Sequence, residues 1–230
     1  MIEVALERPW LVARLPGPMR VLSWAPHRPG LVIADRVVWR EVRDAELAPG
    51  FDAERWLAAE MAGRDLGAAV GMLTSRTLDR HHLAEASAEG LRAACLATVG
   101  LGNAEAVGRR LVPERALGTI NLLVAVEAEL SEAAQLEALS IAVEARTASV
   151  LEAGLVLPTG RATGTGTDCV ALACHPGAGA TRASTRRQER RSALPSAQRW
   201  VWGAGSGCRS AARKPAGRAE TSCEGRGTMG

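Results

Sequence analysis

The sequence predicts an α+β fold: a mixed or antiparallel sheet with a few packed helices, in a single domain followed by a disordered C-terminal tail. Three observations predict it. Strand-like runs rich in β-branched residues come in neighbours split by short turn signals. Two segments read as helices, and they do not alternate regularly with the strands as βαβ units would. The composition changes abruptly near residue 175, which divides the chain into a body, 1–174, and a low-complexity basic tail, 175–230.

Val21 to Ala25 reads as a strand, as does Leu31 to Val42, and His27-Arg28-Pro29-Gly30 between them is a turn by its Pro-Gly step. Asp52 suits the N-cap of a short helix, Ala53 to Ala62, which Gly63 ends. Gly67 to Thr74 is small and apolar, a buried strand. Arg80–Ala88 and Leu91–Val99 form two further runs across the hairpin-like break Glu89-Gly90, with helix as the competing reading. Thr119 to Val126 is a central strand by its β-branched content. Ser131 to Ala153 is the clearest helix: it lacks Gly and Pro, Ser131 suits the N-cap and Gly154 the C-cap. Its predicted core stripe is Leu136, Leu139, Val143 and Val150. The Gly/Thr loop 159–167 then leads into a buried strand, Asp168 to Cys174.

With 230 residues, 47% of them hydrophobic, the chain can build one domain with a real core. Only six Trp and one Phe are aromatic, so that core must come from Ala, Val, Leu and Ile. The net charge of +3 conceals an asymmetry, because residues 175–230 hold eleven basic against three acidic side chains. In that tail Leu194, Val201 and Met229 are the only residues among Ile, Leu, Val, Met and Phe. So little apolar surface cannot offset roughly 1–2 kcal/mol of backbone entropy per residue, hence the expected disorder. A basic tail can attract nucleic acid electrostatically, but the signal is compositional only, and nucleic acid is not the expected partner. No apolar run approaches a membrane span, and the N-terminus lacks the basic and apolar regions of a secretory signal. The expected location is cytoplasmic, with no membrane partner. The five cysteines have no framework spacing and are expected to be reduced thiols.

The chemistry-bearing candidates cluster at polar breaks in apolar surroundings. Thr163-Gly164-Thr165-Gly166-Thr167 alternates flexible backbone with hydroxyl donors, which suits close approach to a polar ligand group. It lacks the spacing and strand–loop–helix context of a dinucleotide fingerprint, and no Gly-Lys-Ser/Thr makes it a P-loop. The other reading is a flexible connection. Asp168, where loop becomes strand, can serve as general base for a water or can accept loop N–H bonds. Cys169 is a nucleophile only with a partner that lowers its pKa, and a small buried hydrophobe is the favoured reading. Asn103 and Asn121 can read an amide or donate to a carbonyl oxygen; as turn and strand-end residues they can equally be structural. Glu137 and Glu144, seven apart on one helix face, are most simply a solvated face. His81 and His82 point to opposite sides of a strand, so they do not make a metal pair. No Cys/His spacing resembles a zinc site, and neither a metal nor a cofactor is expected.

Taken in order, Val21-Leu22-Ser23, Val70-Gly71-Met72-Leu73-Thr74, Val99-Gly100-Leu101-Gly102-Asn103-Ala104, Gly118-Thr119-Ile120-Asn121, Glu137-Ala138, Glu144-Ala145-Arg146-Thr147 and Thr163 to Cys169 resemble the adenosylcobinamide amidohydrolases over roughly residues 18–174. The resemblance implies hydrolysis of the amide that joins a propionyl arm of the corrin ring to aminopropanol, with a corrinoid as small-molecule substrate. It carries no catalytic assignment. From chemistry, Asp168 is the expected base, Asn121 with loop N–H groups the expected oxyanion donors, and Asn103 with Thr163 to Thr167 the expected substrate contacts. A binding module or inactive remnant is the alternative. The family pattern of a His-Thr pair and a final helix is missing after about His175. If Ser184 is encoded by TCC and Thr185 by ACA, the codons of Ser184-Thr185-Arg186-Arg187 read two bases later give a His-Thr pair, and the hypothesis is a single-base frameshift after about Cys174. Resequencing the gene checks this, and an alternate frame without a helical apolar pattern after that pair rules it out.

Overall fold

A computed structural model describes residues 1–43, 50–88, 90–109 and 118–176. The tail read as disordered lies, from residue 177 on, outside the described residues. The strands β1 (Glu3–Glu7), β2 (Trp10–Ser23) and β3 (Gly30–Glu41) run as an antiparallel meander. Helix α1 (Ala53–Ala62) and strand β4 (Val70–Thr74) follow, and β4 lies parallel to β3. After a 3-10 turn at Leu78–Arg80 come β5 (His82–Ala88), β6 (Leu91–Val99), the short β7 (Ala104–Glu105) and β8 (Ile120–Leu130). The long helix α2 (Glu132–Ala153) leads to three two-residue strands: β9 (Val156–Leu157), β10 (Gly160–Arg161) and β11 (Gly164–Thr165). The last described strand is β12 (Cys169–Pro176). The main sheet runs β4-β3-β2-β12-β8-β6-β5, with β1 beside β2, so the fold is α+β with a mixed sheet.

The residues explain the elements. Gly30 and Gly90 sit at positive φ in the tight connections that the sequence marks as turns. Asp52 and Ser131 cap their helices by accepting from Arg55 N (3.0 Å) and Ala134 N (3.2 Å). Gly154 closes α2 in the left-handed region at φ 72°. The strand expected only from Val21 begins instead at Trp10. Pro16-Gly17-Pro18 hides its first half, because proline reads as a strand breaker; here it occupies an irregularity between Arg14 and Met19 where the ladder to β3 shifts register. That irregularity also divides the other edge of β2: β1 pairs with Trp10–Arg14, and β12 pairs with Arg20–Ser23.

Alternation along the strands sorts the core into layers. Val170, Leu172 and Cys174 of β12 face α2 together with Leu122, Val124 and Val126 of β8. Cys169, Ala171 and Ala173 face the other way with Leu123, Leu96, Val21 and Trp39. Helix α1 covers Trp10, Val12 and Val38 with Leu57 and Met61. The sheet is strongly curled. A flat sheet would hold β4 and β8 four strand spacings apart, roughly 19 Å, yet Asn121 Nδ2 on β8 donates to Leu73 O on β4 at 2.7 Å.

Helix α2 departs from its predicted stripe. Leu136 is exposed (59%), while Gln135, Ala138, Ala142, Ala145 and Ser149, spaced 3-4-3-4, face the sheet. Small residues bring the helix close to β8 and β12, and the seam is invisible to a rule that weights large apolar side chains. Buried Gln135 locks the contact: it accepts from Arg20 Nε (2.8 Å) and donates to Arg20 O (3.1 Å) and Leu172 O (3.2 Å). We therefore expect Ala138→Leu to cost about 1–3 kcal/mol by overpacking, and Leu136→Ala to stay within about 0.5 kcal/mol. Urea unfolding followed by tryptophan fluorescence checks both.

Candidate active site

The Gly-Thr loop is built from its own turns outward. β9 and β10 form a hairpin around Pro158-Thr159, with Gly160 at φ 127°, a region that glycine favours. Ala162, fully buried, then anchors the chain through Ala162 N to Leu155 O (2.9 Å). Next, β11 pairs antiparallel with β7, and Thr163 N donates to Glu105 O (2.9 Å). The Thr163 hydroxyl accepts from Val107 N (2.8 Å). The loop therefore takes part in two small two-stranded sheets, and its β11 lies beside α2.

The Asp168 carboxylate ties this loop to the main sheet. Its Oδ1 accepts from Ile120 N (2.9 Å) and from the Thr165 hydroxyl. Its Oδ2 accepts from Thr165 N (2.9 Å) and from the Arg146 guanidinium of α2. The two oxygens thus carry four donors, which fills the usual acceptor capacity of a carboxylate. The ion pair is largely buried, with 14% of the Arg146 side chain and 6% of the Asp168 side chain exposed. Burial lowers the Arg146 guanidinium from its ordinary pKa. Gly164 has to be glycine here, since a Cβ would lie 2.6 Å from Asp168 Oδ2 and would also strike the guanidinium.

The other polar candidates lace adjoining turns together. Thr167 Oγ1 donates to Gly118 O (3.0 Å) and accepts from Asn103 Nδ2 (3.4 Å). The Thr119 hydroxyl lies between Thr167 O (2.8 Å) and Asn121 Oδ1 (3.1 Å). A Cβ on Gly118 would sit 2.6 Å from Gly102 N, so the two glycine turns pack backbone to backbone. Asn121 is buried and its amide spans Thr119 and Leu73. Cys169 lies beside Asn121 in the parallel ladder. Burial pushes its thiol up to about 12, which favours the neutral thiol over the thiolate. Cys95, Cys169 and Cys174 are all buried and form no disulfide among the described residues. Glu144 is exposed on α2, and His81 Nδ1 binds Leu78 O (2.7 Å), away from this region.

A cavity of about 750 Å³ opens against the loop. Its walls are Thr163 to Gly166, the stretch Glu105 to Arg109 on and after β7, and Val143, Arg146 and Thr147 of α2. Thus four of the sequence-predicted substrate contacts, Thr163, Gly164, Thr165 and Gly166, line one cavity. Asp168 bonds the backbone and hydroxyl of Thr165, while Thr167, Asn103 and Asn121 do not line the cavity and bond the neighbouring turns. The sequence reading missed Glu105 and Arg109 as lining residues, and took Arg146 and Thr147 only as part of a motif. Its one available signal was Arg146 itself, a lone cation among the buried alanines of α2.

The family model of the adenosylcobinamide amidohydrolases matches residues 1–188, reaching beyond the 18–174 stretch at both ends. No curated protein matches the chain. Among solved structures, a Burkholderia sp. beta-aminopeptidase is similar at 12% identity and TM-score 0.40, covering 85% of this chain and 78% of its own. The L-aminopeptidase D-Ala-esterase/amidase of Ochrobactrum anthropi is similar at 10% identity and TM-score 0.36, covering 91% and 83%. Likenesses this distant say nothing about residue roles.

If Asp168 is the clasp that its bonds describe, Asp168→Asn strands the buried Arg146 charge. We expect a loss of about 3 kcal/mol, read as a lower urea midpoint, with proteolysis appearing first in the loop 159–167.

Proposed function

We propose, on the premise that this chain belongs to the adenosylcobinamide amidohydrolase family, that it cleaves the amide between the corrin propionyl arm and aminopropanol. The products are adenosylcobyric acid and 1-amino-2-propanol. The reaction lets a cell reuse incomplete corrinoids. The observation that carries this reading is that Thr163 to Gly166, the centre of the resemblance, line the cavity rather than pack into the core.

The dimensions suit the reaction. A cavity of about 750 Å³ lies within the range of small-molecule sites. It takes the propionyl–aminopropanol arm and the adjoining ring edge, while the bulk of the macrocycle stays outside. Amide hydrolysis needs a base for the attacking water and positive or hydrogen-bonding groups where the oxyanion develops. Arg146 puts a buried guanidinium on the cavity wall, held in place by Asp168. Asp168 and Asn121 act in this reading as positioning residues, because their polar atoms are already engaged with the protein. No helix among the described residues is long and apolar enough to cross a membrane. Cys95, Cys169 and Cys174 form no disulfide among the described residues, which accords with work in a reducing cytoplasm.

Incubation of the protein with adenosylcobinamide, followed by mass spectrometry, tests the reading. Adenosylcobyric acid and 1-amino-2-propanol should appear in equal amounts and in proportion to protein. Corrinoid binding without product would overturn it.

A further inference from the structure

We propose that Glu105 is the general base of this amidohydrolase. The inference rests on the reaction just described and adds to it the group that activates water.

Three observations single out this side chain. Among the described residues, Glu105 supplies the one carboxylate that lines the cavity. The carboxylate is also uncommitted, since among the described residues it takes part in no hydrogen bond or ion pair. Asp168, by contrast, has all four acceptor positions filled. Finally, the backbone beneath Glu105 is fixed. It pairs with Gly164 across β7 and β11, and its carbonyl accepts from Thr163 N (2.9 Å) and from the Thr163 hydroxyl (3.4 Å). A free carboxylate on a fixed backbone, facing a ligand-sized space, is what a positioned base requires.

Its neighbours suit the same chemistry. A Cβ on Gly166 would sit 3.4 Å from Glu105 Oε2, so the carboxylate lies close against the loop backbone, and glycine there keeps the approach open. Among the described residues, the other charged groups of the cavity walls are Arg146, paired with Asp168, and Arg109, whose Nη1 donates to Thr159 O (2.9 Å). His27 and His81, among the other side chains able to move a proton, bind Gly67 O and Leu78 O and do not line the cavity.

The step balances without a further reactant. Glu105 takes a proton from water as the water oxygen bonds to the amide carbon. The negative charge that develops on the carbonyl oxygen falls beside the Arg146 guanidinium. When the tetrahedral species collapses, the C–N bond breaks and the proton held on Glu105 passes to the leaving nitrogen. The products are a carboxylic acid and an amine, and Glu105 ends as a carboxylate again.

The test uses the full chain and adenosylcobinamide. In Glu105→Gln, kcat should fall by about 10²- to 10⁴-fold with KM changed little, and circular dichroism should match the wild type. Added formate should restore part of the rate to Glu105→Ala by standing in for the missing carboxylate. Glu144→Gln, on the exposed face of α2, is the control and should leave the rate unchanged. Wild-type protein that forms no product overturns the reaction, and the base with it. Active wild type together with a Glu105→Gln variant keeping more than about a tenth of kcat overturns the base alone. So does a loss that appears mainly in KM and that formate does not restore.

Discussion

The organisation of this protein depends on one carboxylate. Asp168 gathers Ile120 N from the start of β8, the backbone and hydroxyl of Thr165 from the loop, and Arg146 from α2. Its own carbonyl oxygen accepts from Trp24 Nε1 (2.7 Å), which brings the end of β2 to the same point. Charge-assisted bonds of this kind are stronger than neutral ones and fix direction as well as distance. The Gly-Thr signature is then understandable as a self-clasping turn. Threonine at 165 donates twice to the aspartate three residues on, and glycine at 164 leaves room for the ion pair.

Around that clasp the polar residues divide into two sets with different work. Asn103, Thr119, Asn121 and Thr167 spend their hydrogen bonds on one another and on the carbonyls of Gly118 and Leu73. They hold three turns together and close the curled sheet. Glu105, Arg109 and Arg146 sit on the other side of the loop, toward the cavity. A residue type suited to catalysis is therefore a poor guide to role here. Within the second set, Arg146 and Arg109 are held by Asp168 and Thr159 O, and the Glu105 carboxylate alone makes no bond among the described residues.

Much of the fold was legible because local rules and tertiary packing agree. The alternating run Leu31–Val42 became β3, Leu91–Val99 across the Glu89-Gly90 break became β6, the β-branched run Thr119–Val126 became β8, and Asp52, Ser131 and Gly154 capped the helices as their chemistry suggests. The misses share a cause: the deciding contact is distant in sequence. Pro16-Gly17-Pro18 breaks the strand pattern locally but is absorbed because β1 and β12 take turns along one edge of β2. The alanine seam of α2 has meaning only against β8 and β12. β7 and β11, two residues each, carry no pattern, and they find one another across 58 residues of chain. Glu105 stands out only after that pairing, which is why the sequence pointed to Asp168, a carboxylate at a conspicuous loop-to-strand junction, and passed over the one facing the cavity.

The position of β12 has a consequence for how the molecule comes into being. In the sheet order β4-β3-β2-β12-β8-β6-β5, it is the one strand that pairs with both the early meander and the later hairpin. It is also the last of these strands in the chain, so on the ribosome the two halves emerge as separate edges and wait for their keystone. Both edges stay open to wrong partners until Pro176 has left the exit tunnel. A lesion just before Cys169 would split the sheet in two, whereas one after Pro176 spares every pairing described.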